Sequence, residues 1–267
     1  MASTHHPENH PLAQSPGQPW LQPLGWWRAR GASSNALRLA TGSAPQEELQ
    51  PDIDQSGYTL WHYWAEGENA HERFLELAQD QKIADPAYRD RRSHDGEHPF
   101  HRLMLRGQIL AAKAWVDAFG PVDPAMKNEH GDDVLLAACW SGNEELVGWI
   151  LSWNEEADAA HADNQGLTSL MVALHRCGTD TALSLIQAGF DPDARDRQMK
   201  NSLHHAASLG MVEIFPLLED AGADAEVPDA TGVTAAAALA RTLRSEAISV
   251  ETTRLHWQRR YLARLAF

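Results

Sequence analysis

Apolar and polar positions fall into step along this chain at intervals of about 33 residues. The run Gly166-Leu167-Thr168-Ser169-Leu170-Met171-Val172-Ala173 returns 33 residues later as Met199-Lys200-Asn201-Ser202-Leu203-His204-His205-Ala206, and 33 later again from Gly232. Upstream, glycines hold the same place at Gly131, Gly96 and Gly57, with spacings of 35, 35 and 39. Each is followed by a partial copy: Asp133-Val134-Leu135-Leu136-Ala137-Ala138, His98-Pro99-Phe100-His101 and Thr59-Leu60-Trp61-His62. A second glycine, at Gly67, Gly107, Gly142, Gly178 and Gly210, gives each unit a point where the chain can turn back. Two units close on Leu185-Ile186-Gln187-Ala188-Gly189-Phe190-Asp191 and Leu217-Leu218-Glu219-Asp220-Ala221-Gly222-Ala223-Asp224. The pattern predicts about six stacked units over 51–245, regular from Gly131 onward and degenerate in the first two. Past Arg241 this grammar stops. Val250, Trp257, Tyr261 and Leu265 then recur at helical spacing opposite Arg254, Arg259, Arg260 and Arg264, which predicts a basic helix within 246–267.

These tracts resemble the ankyrin repeat, a β-turn plus two antiparallel helices with a Thr-Pro-Leu-His-x-Ala signature. The resemblance implies an all-α ankyrin-repeat solenoid of stacked helix-turn-helix units with short β-turn fingers, closed by a C-terminal capping helix. It also assigns structural work to the signature residues. Thr168 and Thr234 cap the first helix of their units by accepting a backbone N–H. His62, His101 and His204 hydrogen-bond the backbone of a neighbouring repeat in place of any catalytic or metal-binding task. Asp54, Asp163, Asp196 and Asp229 bond their own backbone in the finger turn. Met199 replaces a turn glycine and leaves the geometry of that finger open.

Composition narrows the class further. A 43% hydrophobic content over 267 residues supports a sizeable core, spread by a repeat array into successive layers. No apolar run approaches the length of a membrane span, and the N-terminus shows no secretory leader, so a cytoplasmic protein is expected. Residues 1–50 are Pro- and Gln-rich and read as a largely disordered segment, with Trp20, Trp26 and Trp27 as anchors onto the first repeat or onto a partner. Cys139 and Cys177, expected at matching places in consecutive first helices, read as small core residues, with a disulfide or metal pair as the alternative. Trp115, Trp149 and Trp153 read as inter-repeat core, and Trp61 and Trp64 require the first unit to pack unusually. The net charge of −15 argues against nucleic acid, whose phosphates are neutralised by Lys and Arg.

The resemblance also sorts residues by face, since ankyrin partners usually sit on the concave side formed by finger tips and the ends of the first helices. Mapped here, the candidate partner-binding residues are Arg92, His94, Arg106, Lys127, His130, Trp140, His175, Arg176, Arg195, Arg197 and Lys200. Seven Lys or Arg meet four acids on this face, Asp95, Glu97, Glu129 and Asp132, an inversion of the overall balance. Trp140 stands out as an exposed anchor. No phosphate-binding loop, zinc-binding helix or nucleophile turn is present, and His204-His205 has no carboxylate at metal-ligand spacing. The expectation is a non-catalytic module, without cofactor or metal, that binds another protein and neither nucleic acid nor membrane. A bacterial immunity protein that covers the active site of a cognate toxin is the alternative reading, and an enzyme the third.

Overall fold

In the computed structural model the described residues are 28, 31–41, 51–67, 70–153 and 158–244. Trp20, Trp26, Trp27, the side chain of Trp153 and the capping helix expected within 246–267 lie outside them. The helices are α1 (Ser34–Ala40), α2 (Leu60–Glu66), α3 (Phe74–Ala78), α4 (Pro86–Arg89), α5 (Pro99–Leu105), α6 (Ile109–Phe119), α7 (Val134–Ser141), α8 (Glu144–Trp153), α9 (Ser169–Arg176), α10 (Thr179–Gln187), α11 (Ser202–Leu209), α12 (Phe215–Asp220) and α13 (Ala235–Arg244). Helices α1, α2, α5, α7, α9, α11 and α13 pack successively as an inner row, with α6, α8, α10 and α12 behind it. The fold is an all-α solenoid. Among the described residues extended pairing is confined to isolated bridges at the fingers, Ile53 with Thr59, Ala162 with Thr168 and Pro228 with Thr234. No described helix is long and apolar enough to cross a membrane.

Local chemistry explains why each unit begins where it does. The side-chain oxygens of Asp133, Thr168 and Asn201 accept the backbone N–H three residues on, at Leu136, Met171 and His204, which satisfies donors that a helix start leaves open. Thr234 does the same for Ala237. The second glycine ends the inner helix: Gly142 sits at φ 76°, and a Cβ there would lie 2.9 Å from the carbonyl oxygen of Arg176 in the next repeat. The signature histidines stitch neighbours together. Nε2 of His62, His101 and His204 lies 3.0 Å from the carbonyls of Glu97, Met126 and Val233 in the following repeat. For His62 the Thr59 N–H donates to Nδ1, so Nε2 carries the proton and donates to Glu97.

Three features depart from the expected layout. Residues 34–40, expected to be disordered, form α1, whose Ala36, Leu39 and Ala40 are buried against α2. The start of α1 repeats the finger chemistry of the later units. Gly31 N–H donates to the Arg28 carbonyl at φ 82°, and the Ser33 hydroxyl accepts the N–H of Ala36. The long spacing between Gly57 and Gly96 is taken up by α4. Its Tyr88 hydroxyl donates to the Asp52 carbonyl at 2.6 Å and accepts the N–H of Leu60 at 2.9 Å. The two cysteines, both free and buried, are not in register: Cys139 lies within α7 while Cys177 follows α9, with its thiol 3.4 Å from the Cys139 carbonyl.

The aromatic residues of the first two units fill one layer. Trp61 packs edge-on against Trp64, Trp115 and Phe119 at centroid distances of 5.3, 5.1 and 5.6 Å, and its indole N–H donates to the Ile83 carbonyl. Trp149 is only half-buried, with the Lys113 ammonium 5.9 Å from its ring.

Candidate protein-binding face

The fingers project from the inner row and are held tip to tip. In the fourth, fifth and sixth turns one oxygen takes two N–H groups: Asp163 accepts from Gln165 and Leu167, Asp196 from Gln198 and Lys200, and Asp229 from Thr231 and Val233. Asn128 does this work in the third unit, accepting from His130 and Asp132. Successive fingers are then joined backbone to backbone. The N–H of His94 donates to Ser56, that of Asn164 to His130, that of Arg197 to Gln165 and that of Ala230 to Gln198, at 2.8 to 3.0 Å. Between the second and third fingers the Arg92 guanidinium donates to the carbonyls of both Gly96 and Lys127. With their backbone groups committed, the fingers present side chains at a fixed pitch.

Of the predicted face, Arg92, His94, Lys127, Arg195 and Arg197 are exposed on this edge, and His130 and Lys200 are half-buried beside it. Glu129 lies 3.6 Å from His130, and Asp193 is 3.9 Å from Arg195. Four expected contact residues are not presented this way. Trp140, expected to be exposed, is completely buried, as is every residue of α7 from Val134 to Trp140, because α5 and α9 flank that helix and α8 backs it. Arg106 has a side chain only 7% exposed and is spent on a carboxylate of Glu66. Arg176 donates from Nε to the Trp140 carbonyl at 3.0 Å, and His175 bonds His205 at 3.0 Å. The inner-helix ends are therefore inter-repeat joints, and the reachable part of the face is the finger edge.

A family model described as ankyrin repeats matches residues 135–229 in three copies. Residues 135–229 carry ankyrin repeats. A protein of Treponema pallidum (strain Nichols) named for the ankyrin repeats it contains is 26% identical over 165 residues, covering 62% of this chain and 54% of that protein. The chain thus spans about half the length of this curated relative.

Two polar chains inside the stack escaped the sequence reading. Between the first two repeats, Arg102 is buried with Nη1 3.0 Å from Glu66 and Nε 2.9 Å from Glu97, while Arg106 pairs with the other oxygen of Glu66. Tyr58 accepts from Arg102 and donates to Glu97 at 3.0 Å. Burial is the main force lifting the Glu97 carboxyl to about 7; Arg102 opposes it and Glu66 adds to it. Between the fourth and fifth repeats, His205 reaches back to the finger and forward to the preceding helix. Its Nε2 lies 3.3 Å from Asp196 and its Nδ1 3.0 Å from His175. A carboxylate does face His205, and it comes from the finger and not from the helix. Burial works against the Asp196 charge, but the bonds from His205 and from the Lys200 and Gln198 N–H groups outweigh it and hold the carboxyl below its ordinary value. The signal for both chains was present: Glu66, Trp140 and His175 occupy equivalent places in their repeats, as do Tyr63, Arg102, Val172 and His205.

Proposed function

We propose that this chain is a non-catalytic protein-binding module that takes its partner along the finger edge of repeats two to five. Ankyrin repeats generally mediate contacts between proteins, through extended surfaces and not through deep pockets. The observation that carries the reading is the comb of fingers, locked backbone to backbone and bearing Arg92, His94, Lys127, Arg195 and Arg197 outward. A cavity of about 140 Å³ lies elsewhere, between α1 and the first finger, lined by Gly31, Ser33, Asp52 and Tyr58 among others. Pockets that hold small molecules usually run from about 300 Å³ upward, so this one does not favour a substrate.

The test places a photoreactive side chain at Lys127 or Arg197 on the edge and, as controls, at exposed Glu144 or Glu219 on the outer helices. Partner adducts from the finger positions alone are the expected result. Adducts from the outer positions alone would move recognition to the acidic convex side.

A further inference from the structure

The fingers are not equivalent, and the fifth is the unusual one. Every other described finger turn carries glycine at the left-handed position, with φ between 77° and 83° at Gly31, Gly57, Gly96, Gly131, Gly166 and Gly232. The fifth carries Met199 at φ 59°, the one non-glycine residue with positive φ among the described residues. A side chain there strains the backbone, and the bond from the Met199 N–H to the Asp196 carbonyl shows that the turn itself is unchanged. The strained residue is 45% exposed at the tip. Backbone strain kept at an exposed tip points to a contact with something outside.

The chemistry around the tip says what that something is. Arg195 and Arg197 are exposed on either side of Asp196, and Gln198 is exposed beside Met199. The acids of this finger are occupied. Asp196 is buried, bonded to two turn N–H groups and facing His205. Asp193 takes the Asn201 amide at 2.9 Å and the Asp224 N–H at 3.1 Å on one oxygen, and its other oxygen lies 3.9 Å from Arg195. The tip is therefore an apolar, polarisable knob flanked by two guanidiniums, on a molecule whose net charge is −15. Methionine suits such contacts because its flexible thioether adapts to aromatic and aliphatic surfaces.

We propose that the fifth finger is the anchor of the binding edge, and that it takes a protein segment in which an aromatic or large aliphatic side chain is flanked by carboxylates. The apolar side chain lies against Met199 while the acids meet Arg195 and Arg197. This rests on the finger edge being the binding face. The crosslinking described above tests that face independently: adducts at the fingers together with failure below would leave the face standing and remove only this chemistry.

The probe is a fluorescein-labelled nine-residue peptide with Glu-Glu-Phe-Glu-Glu at its centre, followed by anisotropy with the full chain. Comparators carry Lys for Glu, or Ser for Phe. The Glu-Phe peptide is expected to bind at least tenfold more tightly than either, with affinity falling as salt is raised. Arg195→Glu with Arg197→Glu should weaken it tenfold or more. Met199→Gly is the separating variant: it should raise thermal stability yet weaken peptide binding about fivefold, with Met199→Leu restoring most of the affinity. A purely structural Met199 would give Met199→Gly with unchanged affinity, and that result, or equal binding of the Lys peptide, would overturn the proposal.

Discussion

Met199 and His101 show how single side chains set the energetics of this stack. Replacing Met199 by glycine keeps the turn and removes the left-handed penalty, so Met199→Gly should raise unfolding free energy by about 1 kcal/mol, read as a shifted denaturant midpoint at constant slope. His101 is fully buried and donates from Nε2 to the Met126 carbonyl; burial, with like charge from His98, holds its pKa down at about 3. The unfolded imidazole titrates near 6.5. Below that pH the unfolded chain takes up a proton the folded chain refuses, so the stability His101 contributes is complete above 6.5 and drains away toward 3. At pH 5 the loss is about 2 kcal/mol. The gap in unfolding free energy between wild type and His101→Gln should shrink by about that amount from pH 7 to pH 5, and a gap independent of pH would contradict it. Glu97 acts in the opposite direction: with its carboxyl lifted to about 7, its contribution falls as pH rises from the ordinary carboxylate range through neutrality. The signature histidines and the capping Thr residues were legible in the sequence because their partners are backbone groups, present whatever side chain stands there. Trp140, Arg106 and His205 were not, because their partners belong to a neighbouring repeat and depend on what happens to stand there.

The helical units were legible for a different reason. Two glycines and one apolar run per period leave little freedom, and the inner row from α5 to α13 lies where the register put it. Helix α1 was missed although Gly31-Ala32-Ser33 copies the start of the later units, because Gly31 stands only 26 residues before Gly57 (57 − 31) and falls out of the 33-residue step. Helix α4 was missed inside the longest spacing, although Asp85-Pro86 is a strong helix start: the Asp85 carboxylate accepts the Ala87 N–H and Pro86 needs no donor. Helix α1 does for α2 what each repeat does for its neighbour, covering an inner face that would otherwise meet water. Leu39→Ala should therefore cost about 2–4 kcal/mol. Hydrogen exchange should show the loss first in α2, with α9 and α11 protected as before. A loss of protection spread evenly over all repeats would contradict this order.

At the scale of the whole molecule, stability is a chain of nearest-neighbour joints, and α7 lies at its middle. Trp140→Ala removes the largest buried side chain of that joint and should cost about 3–5 kcal/mol, measured by circular dichroism in denaturant. Intact stability in that variant would restore the indole to the surface. The place Trp140 occupies carries a wider consequence. The equivalent residue of the first repeat is Glu66, which meets Arg102 of the second; that of the fourth is His175, which meets His205 of the fifth. The third repeat offers an indole, and its neighbour supplies Val172 at the matching place. Each joint is thus cut to its own shape: acid to base, indole to aliphatic, imidazole to imidazole. Sliding the array by one step would set Glu66 toward Ala137 and leave Arg102 buried beside the wrong neighbour, at a cost of several kcal/mol for each stranded charge. Units that share one backbone plan are in this way made non-interchangeable, and their order along the stack is enforced like the wards of a set of locks that each admit a single key.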